Sequence, residues 1–210
     1  MASLTTLSLE EFTAALASDS PAPGGGSASA AAGAAGAALL AMVVKLTLGK
    51  EKYKDSWAEL EPLSESLETI RKRLLELVDE DTKAFDAVVA ARRLPKASDE
   101  EKLARQKAID AATILATTVP LQTAFYSEQA LRSAGLVLDK GNPNAGSDAL
   151  VAGHLLAAAI AGGLANVRIN LPGVLDAEIA RGFREEAGDL AKSSDEKLAA
   201  LREAARARGL

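Results

Sequence analysis

One acidic residue, Asp81, interrupts the hydrophobic face of a predicted long helix. From Pro62 to Arg93 the apolar positions recur in alternating steps of four and three, which places them on one side of a helix. The members of this seam are Leu63, Leu67, Ile70, Leu74, Leu77, Asp81, Ala84 and Val88. An ionised carboxylate is costly in apolar surroundings unless it is paired or hydrogen-bonded. Asp81 therefore either joins a structural network with a neighbouring helix or lines a cavity as a catalytic group.

A second predicted helix carries polar residues at both ends of one face. Ser147 or Asp148 is expected to cap its start, and Asp148, Asn166 and Asn170 share a stripe whose middle is small and apolar. Because Asn166 and Asn170 are four residues apart, their amides point the same way and offer both donors and acceptors. The asparagines either tie helix ends together or line a polar pocket. Two such stripes in one chain favour a pocket shared by Asp81 and Asp148.

A glycine-rich loop precedes the second predicted helix. Gly24, Gly25, Gly26 and Ser27 provide bare backbone amides at a helix start, which favours an anion or a developing oxyanion. The loop lacks the Gly-Lys-Ser/Thr of a phosphate-binding P-loop, and no strand precedes it as a dinucleotide fingerprint requires. Near the end of the same helix, Lys45 either extends along apolar surface towards solvent or binds a carboxylate.

The composition indicates an all-α fold. Hydrophobic residues make up 48% of the 210 residues but aromatic residues only 3%, so the core is expected to consist of Ala, Leu, Val and Ile. Small core residues allow helices to approach one another closely. No alternating strand pattern flanked by hairpin turns occurs. We predict a single domain over residues 1–210, a helical bundle of long helices around an Ala/Gly-rich central helix.

Capping and helix-breaking residues predict the helix boundaries. Ser8 with Glu11 and Ser98 with Glu101 form capping boxes. The predicted helices span about 9–18, 27–48, 62–93, 98–138, 147–170 and 176–206. Pro120 is expected to kink or divide the fourth of them.

Composition and charge argue against several classes of function. The chain has no cysteine and one histidine, His154, so it has no disulfides or thiolate metal sites and little basis for a zinc site or Ser-His catalysis. A formal net charge of −5 argues against nucleic acid as a partner. The uncharged segment 27–44 is mostly Ala, Gly and Ser, which favours a buried helix over a membrane span. The amino terminus lacks a signal-peptide pattern, so we expect a cytoplasmic protein.

Several motifs, in order along the chain, resemble those of the cyclodeaminase/cyclohydrolase family. They are residues 21–27, 42–53, 79–86, 94–96, 116–121, 141–148 and 166–170. Together they extend over about residues 7–175, so the resemblance is far more specific than any single motif. The family includes the cyclodeaminase domain of formiminotransferase-cyclodeaminase and stand-alone methenyltetrahydrofolate cyclohydrolases.

The resemblance implies an all-helical homodimer that acts on the one-carbon bridge between N5 and N10 of tetrahydrofolate. Family cyclohydrolases open 5,10-methenyltetrahydrofolate to 10-formyltetrahydrofolate, whereas cyclodeaminases close 5-formiminotetrahydrofolate and release ammonia. We predict a cyclohydrolase, because this sequence contains no formiminotransferase domain and its length resembles that of the stand-alone cyclohydrolases. The alternatives are a cyclodeaminase and a non-catalytic folate-binding helical dimer.

The polar stripes and the resemblance together predict the site residues. Asp81 is the first candidate for electrostatic stabilisation or general base, and Asp148 is the second carboxylate. The expected substrate-binding residues are Gly24, Gly25, Gly26, Ser27, Lys45, Lys50, Asn142, Asn166 and Asn170. In this scheme the asparagines orient substrate or water, and the glycine loop with its serine holds a pterin edge or a carboxylate. One of the lysines binds the substrate's glutamate tail, which can be polyglutamylated. No metal and no other cofactor is expected.

Overall fold

The computed structural model describes residues 3–210 as six α-helices joined by loops and short 3-10 segments. The helices are α1 (Leu9–Leu16), α2 (Gly25–Leu48), α3 (Trp57–Arg92), α4 (Asp99–Lys140), α5 (Gly146–Asn170) and α6 (Ala177–Arg206). The 3-10 segments are Leu4–Thr6, Glu51–Ser56, Pro143–Ala145 and Leu171–Gly173. No strand occurs in this part of the chain. The predicted all-α fold is confirmed.

The four helices from α2 to α5 form an antiparallel bundle, and α6 packs against α4 and α5. Gly33 of α2 lies at the centre, where Leu74 of α3, Ser127 of α4 and Ala159 of α5 surround it. A Cβ at position 33 would lie 2.6 Å from the Ser127 hydroxyl oxygen. A small residue is therefore needed where the four helices meet, as the Ala/Gly-rich composition of α2 predicts.

Two further glycines let α5 approach its neighbours backbone to backbone. A Cβ on Gly36 of α2 would lie 3.0 Å from the Ala152 carbonyl oxygen, and one on Gly163 of α5 would lie 2.6 Å from the Pro120 carbonyl oxygen. Because these are backbone atoms, no rotamer change relieves such a clash. The close spacing of α5 against α2 and α4 sets where its last turns, with their two asparagines, lie.

The capping boxes are as predicted, but some helix ends are not. Both Ser8–Glu11 and Ser98–Glu101 show the reciprocal side-chain to backbone hydrogen bonds of a capping box. By contrast, α5 begins at Gly146, and neither Ser147 nor Asp148 caps it, since its N-cap is Ala145 without a side-chain hydrogen bond. The predicted start of α5, at Ser147 or Asp148, was therefore slightly too late.

The start of α3 and the course of α4 also differ from prediction. α3 begins at Trp57 rather than Pro62, because Leu60 is fully buried and the Trp57 Nε1–H donates to the Thr47 carbonyl oxygen at 3.2 Å. These tertiary contacts hold a turn that local propensity does not predict. Pro120 does not divide α4, which is one helix from Asp99 to Lys140.

α2 is a central helix, as predicted. Both α2 and the segment Pro143–Gly173 are long and apolar enough, by length and composition, to cross a membrane. One side of α2 is enclosed by the other bundle helices, with Ala37, Leu40 and Val43 fully buried. Its apolar character is therefore at least partly that of a core helix.

Candidate active site

A cleft of about 340 Å³ lies at the end of the bundle where α2 begins and α5 ends. Its walls include Asp81 of α3, the glycines 24–26, and both Asn166 and Asn170 of α5. Antiparallel packing explains this convergence, because the first turn of α2 lies beside the second half of α3 and the last turns of α5. Six of the predicted site residues therefore meet in one cavity.

Ser27 holds the Asp81 carboxylate in place. The Ser27 backbone N–H donates to Asp81 Oδ2 at 2.9 Å, and the Ser27 hydroxyl oxygen lies 3.1 Å from the same atom. The hydroxyl also lies 2.9 Å from the Val78 carbonyl oxygen. The other carboxylate oxygen of Asp81 accepts no hydrogen bond from residues 3–210. One side of this carboxylate is anchored, and the other is available to a ligand.

Burial and the start of α2 act on Asp81 in opposite directions. Burial raises the pKa of Asp81 above its ordinary value, and the two hydrogen bonds from Ser27 offset part of this effect. The partial positive charge at the start of α2 also favours the ionised form. No lysine or arginine among residues 3–210 forms an ion pair with Asp81. A carboxylate with a raised pKa beside a cavity is suited to accepting a proton or facing a cation.

Gly26 has to be glycine because the Asp81 carboxyl group packs against its Cα. A Cβ at position 26 would overlap all three carboxyl atoms, with even the farther oxygen at 2.7 Å. At Gly25 a Cβ would meet only Asn166 Nδ2 at 3.7 Å, an ordinary contact. The third glycine of the loop is therefore the one that Asp81 requires.

Both asparagines line the cleft, and each amide nitrogen is hydrogen-bonded within the protein. Asn166 Nδ2 donates to the Gly162 carbonyl oxygen at 2.9 Å, and Asn170 Nδ2 donates to the Ala116 carbonyl oxygen of α4 at 2.7 Å. Neither Oδ1 accepts a hydrogen bond from the described chain, residues 3–210. Two acceptors whose amides are already anchored can bind donors of a ligand or a water molecule.

Ser27 is misassigned as a substrate-binding residue. It is 0% exposed, so it cannot touch a ligand in the cleft, and its donors are used within the protein. The prediction took the loop and the first helical residue as one binding surface. In the structure the side chain of Ser27 points into the bundle, where it positions Asp81 rather than a ligand.

Asp148 does not share the cleft with Asp81 in one chain. It lies in the first turn of α5, 22 helical residues and about 33 Å from Asn170 in the last turn. A stripe pattern shows which face a residue occupies but not how far along the helix it lies. The predicted single pocket with both acids is therefore wrong within a chain.

Lys45 and Lys50 are likewise remote from the cleft. They lie at the far end of α2, about 28 Å or more from Gly26 by helix length. Lys45 instead borders a shallow surface depression with Glu68 and Arg71. Neither lysine reaches a ligand bound to Asp81 of the same chain.

Asn142 is used as a structural residue at that same far end. Its backbone N–H donates to the Thr47 hydroxyl at 2.8 Å, and its Oδ1 accepts from the Tyr53 hydroxyl at 2.9 Å and from the Asn144 N–H at 3.2 Å. Asn142 is buried and ties the loop before α5 to the end of α2. The predicted contact with substrate is therefore wrong for the cleft of its own chain.

Three lining residues on α3 were missed. Phe85, Val88 and Arg92 line the cleft beyond Asp81, at steps of four, three and four residues. Val88 was assigned to the hydrophobic seam, whereas Phe85 and Arg92 were not singled out at all. Continuing the face of Asp81 towards the end of α3 would have found both. Among residues 3–210, no three Asp, Glu or His side chains lie close enough together to hold a metal ion.

Comparison with known proteins identifies the family of this chain. The family model described as Formiminotransferase-cyclodeaminase matches residues 8–189. The chain belongs to this family. A protein from Methylorubrum extorquens named methenyltetrahydrofolate cyclohydrolase is 42% identical to this chain. The match covers 85% of this chain and 84% of that protein.

Other members of the family show both the shared fold and a difference in length. Formimidoyltransferase-cyclodeaminase from Gallus gallus is 33% identical over 82% of this chain, but the match covers only 32% of that protein. The crystal structure of formiminotetrahydrofolate cyclodeaminase from Thermotoga maritima matches 99% of this chain and 100% of its own, with a TM-score of 0.88 and 27% identity. The resemblance found in the sequence is thus confirmed.

Proposed function

We propose that this protein is a methenyltetrahydrofolate cyclohydrolase, an enzyme that hydrolyses 5,10-methenyltetrahydrofolate to 10-formyltetrahydrofolate. The observation that carries the proposal is the Asp81 carboxylate, which is half-buried beside a cleft and forms no ion pair with a cationic side chain of residues 3–210. The 42% identity to a protein of that name supports the choice of reaction. A site with an unpaired anion suits this substrate, whose bridge is a delocalised cation across N5, the bridging carbon and N10.

Asp81 accounts for the charge and proton changes of this reaction. In the ground state its carboxylate faces the bridge cation, and a water molecule attacks the bridging carbon. Asp81 accepts a proton from this water as the new C–O bond forms. The same proton then passes to N5 as the C–N5 bond breaks, while the hydroxyl proton of the intermediate passes to Asp81 and from there to solvent, leaving a neutral formyl group on N10. Asp81 ends the cycle ionised again, and no other reactant is needed.

The remaining cleft groups orient the reactants. The anchored amides of Asn166 and Asn170 leave their Oδ1 atoms to accept hydrogen bonds from the attacking water or from the N–H groups of the pterin. The amides of Gly25 and Gly26 lie in the first turn of α2, where the helix dipole favours an acceptor such as the pterin carbonyl oxygen. Holding water and substrate together is itself a large part of such catalysis.

A spectroscopic assay tests the reaction. Methenyltetrahydrofolate is incubated with the protein at a pH where spontaneous ring opening is slow, and the loss of its absorbance is followed. Faster loss than in buffer, with 10-formyltetrahydrofolate as product, is expected. A rate equal to that in buffer would contradict the cyclohydrolase proposal.

The second candidate is a formiminotetrahydrofolate cyclodeaminase. It is favoured by the structural match to the Thermotoga maritima protein of that name along nearly the whole chain. Ammonia release from 5-formiminotetrahydrofolate, measured alongside the hydrolysis assay, separates the two enzymes. Binding of folates without either reaction would instead support the non-catalytic folate-binding dimer.

We also propose that the protein is a homodimer, paired through the outer face of α2 and α5. On each helix a stripe of apolar residues with steps of four and three is half-buried or exposed and contains no charge. The stripes are Ala28, Ala32, Ala35, Leu39, Met42 and Leu46 on α2, and Val151, Leu155, Ala158, Gly162, Ala165 and Ile169 on α5. Such a spacing is typical of helices that pack on another helix pair.

Molar mass in solution tests the dimer. Wild type is expected at twice the chain mass of 21.6 kDa, and Met42→Glu is expected to weaken association. Leu103→Glu, which changes an exposed leucine outside both stripes, is the control. A monomeric wild type would contradict this proposal. A cytoplasmic location, a polyglutamylated substrate and the lack of a metal or other cofactor stay predictions.

A further inference from the structure

The cleft contains one anionic and one cationic side chain, both on α3. Asp81 lies at the glycine loop, and Arg92 lies in the last turn of the helix. Arg92 follows Asp81 by 11 positions, which corresponds to about 16 Å along the helix axis. Because Asp81, Phe85, Val88 and Arg92 follow one another at steps of four, three and four, all four face the same side.

Arg92 has no other role within the described chain. Its guanidinium forms no ion pair and no hydrogen bond with residues 3–210. Its carbonyl oxygen accepts hydrogen bonds from Arg105 Nε at 3.2 Å and Nη2 at 3.0 Å. Arg105 thereby closes the end of α3 and fixes the backbone that carries Arg92, while the guanidinium of Arg92 stays available to a ligand.

The wall between the two charges is apolar. Phe85 is 37% exposed and Val88 is half-buried, although both follow the partly buried face of Asp81. An aromatic and a branched side chain left open to a cleft are suited to packing against a flat, unsaturated group. The α3 face thus presents, in order, an anion, an apolar surface and a cation.

The proposed substrate has the complementary order of groups. Its one-carbon bridge is cationic, the p-aminobenzoyl group beside it is flat and apolar, and its glutamate tail is anionic. We propose that Arg92 binds a carboxylate of this tail and so fixes the orientation of the folate along α3. The p-aminobenzoyl group then packs on Phe85 and Val88, and the bridge reaches Asp81. This inference rests on the proposed function and replaces Lys45 and Lys50 as the tail-binding residues.

Kinetics with a substrate that lacks the tail test the role of Arg92. Arg92→Gln is compared with Arg93→Gln, which removes the same charge one residue later and outside the cleft. With methenyltetrahydrofolate, Arg92→Gln is expected to raise KM about 10-fold or more with little change in kcat, since a charge-assisted hydrogen bond is lost. With methenyltetrahydropteroate, which has no glutamate, wild type and Arg92→Gln are expected to have equal KM values.

The conservative variant and the control give the outcomes that would overturn the proposal. Arg92→Lys is expected to recover part of the loss, and Arg93→Gln is expected to behave as wild type. Equal increases in KM for both substrates in Arg92→Gln would show a structural effect and overturn the role of Arg92. The role of Arg92 would also be overturned if Arg93→Gln raised KM as much as Arg92→Gln does.

Equilibrium binding separates this inference from the proposed reaction. Wild type and Arg92→Gln are titrated with 5-formyltetrahydrofolate and with 5-formyltetrahydropteroate. A preference for the glutamyl compound that Arg92→Gln abolishes supports the inference even if hydrolysis is absent. Hydrolysis without such a preference overturns the inference but not the function. Binding of neither compound by wild type overturns the inference.

Discussion

Asp81 at the cleft and Glu128 between α4 and α6 are both withdrawn from solvent, but they have different partners. Among residues 3–210, Asp81 accepts hydrogen bonds only from Ser27, a neutral residue, and it lines a cavity. Glu128 of α4 is fully buried and accepts hydrogen bonds from Arg132 Nε at 2.8 and 2.9 Å and from the Ser193 hydroxyl. Lys197 Nζ of α6 lies 3.7 Å from Glu128 Oε1.

The pKa values of the two acids shift in opposite directions. Burial raises the pKa of Asp81, because the hydrogen bonds from Ser27 compensate only in part. Burial acts in the same direction on Glu128, but Ser193, Arg132 and the charge of Lys197 outweigh it and lower its pKa. The partners, rather than the degree of burial, decide which acid is held ionised.

This difference separates a structural acid from a chemical one. Both donors and both cations around Glu128 belong to the protein, so its interactions are complete and join α6 to the bundle. Asp81 has one oxygen without a partner in residues 3–210 and faces a space that a cation can enter. A withdrawn carboxylate is thus informative about function only when its own protein leaves it incompletely paired.

The largest expected effect is the loss of turnover in Asp81→Asn. The amide keeps the size of the side chain and can still accept from Ser27, but it cannot carry the charge or the proton. We expect kcat for methenyltetrahydrofolate to fall about 10²- to 10⁴-fold, with binding of 5-formyltetrahydrofolate largely kept. An absorbance assay of hydrolysis measures kcat, and titration calorimetry measures binding of 5-formyltetrahydrofolate.

Glu128→Gln is the matched control, since it makes the same chemical change at the other withdrawn acid. Its kcat is expected to remain near that of wild type. If Asp81→Asn retained full turnover while binding folate normally, Asp81 would not be catalytic. Equal losses in both variants would mean that carboxylate replacement acts through the fold.

The next largest effect is expected from the glycine beneath Asp81. In Gly26→Ala the new Cβ overlaps the carboxyl group, so Asp81 has to move, and displacement of a catalytic group costs about 10- to 100-fold in kcat. Gly25→Ala adds the same methyl group without touching Asp81, so its kcat is expected to stay within a few-fold of wild type, and any loss is expected in KM because Gly25 lines the cleft. Steady-state kinetics of both variants give the ratio. A larger loss of kcat in Gly25→Ala would contradict the assigned contact.

Sequence patterns predicted the fold and singled out Asp81 as an acid on an apolar helix face, because both depend on local periodicity. The seam of α3 and the capping boxes show which face is buried and where helices begin, and a misfit such as Asp81 stands out against the seam. Where a residue lies along the bundle axis is not determined by such a local pattern. Asp148 follows the pattern as well as Asn166 does, yet about 27 Å of helix separates them.

Local patterns also could not predict residues whose role depends on contacts with another helix. Glu128 with Arg132 has the spacing of an ordinary surface pair, and only the packing of α6 makes it a buried cluster. Ser27 looked like a binding residue because its partner, Asp81, is 54 positions away in the sequence. Arg92 follows the face of Asp81, but its importance depends on a cleft that the sequence does not display.

A smaller effect, on stability alone, is expected at Glu128. Glu128→Gln keeps the volume but turns one acceptor into a donor that faces Arg132, Ser193 and Lys197. We expect a loss of about 1–3 kcal/mol in the free energy of unfolding, measured by urea denaturation. Glu178→Gln breaks the exposed pair with Arg181 and is expected to cost much less. Equal costs in the two variants would mean that the Glu128 cluster contributes no more than a surface pair.

The smallest effect is a difference in how pH changes the stability of the two variants. The folded pKa of Asp81 is raised, so protonation favours the folded state, and this contribution is lost as pH rises from the ordinary aspartate pKa through the raised one. Asp81→Asn lacks this loss, so its Tm relative to wild type is expected to increase from acidic to neutral pH.

For Glu128 the sign is reversed, because its folded pKa is lowered. Its ionised form stabilises the fold above the ordinary glutamate pKa, and this contribution disappears as pH falls through the lowered folded value. The deficit of Glu128→Gln in Tm is therefore expected to be largest at neutral pH and to shrink in acid. Thermal unfolding of wild type and both variants between about pH 2 and pH 8 measures the two trends, because the loss at Glu128 occurs below the ordinary glutamate pKa. Parallel trends would show that the two acids do not differ in the way their partners indicate.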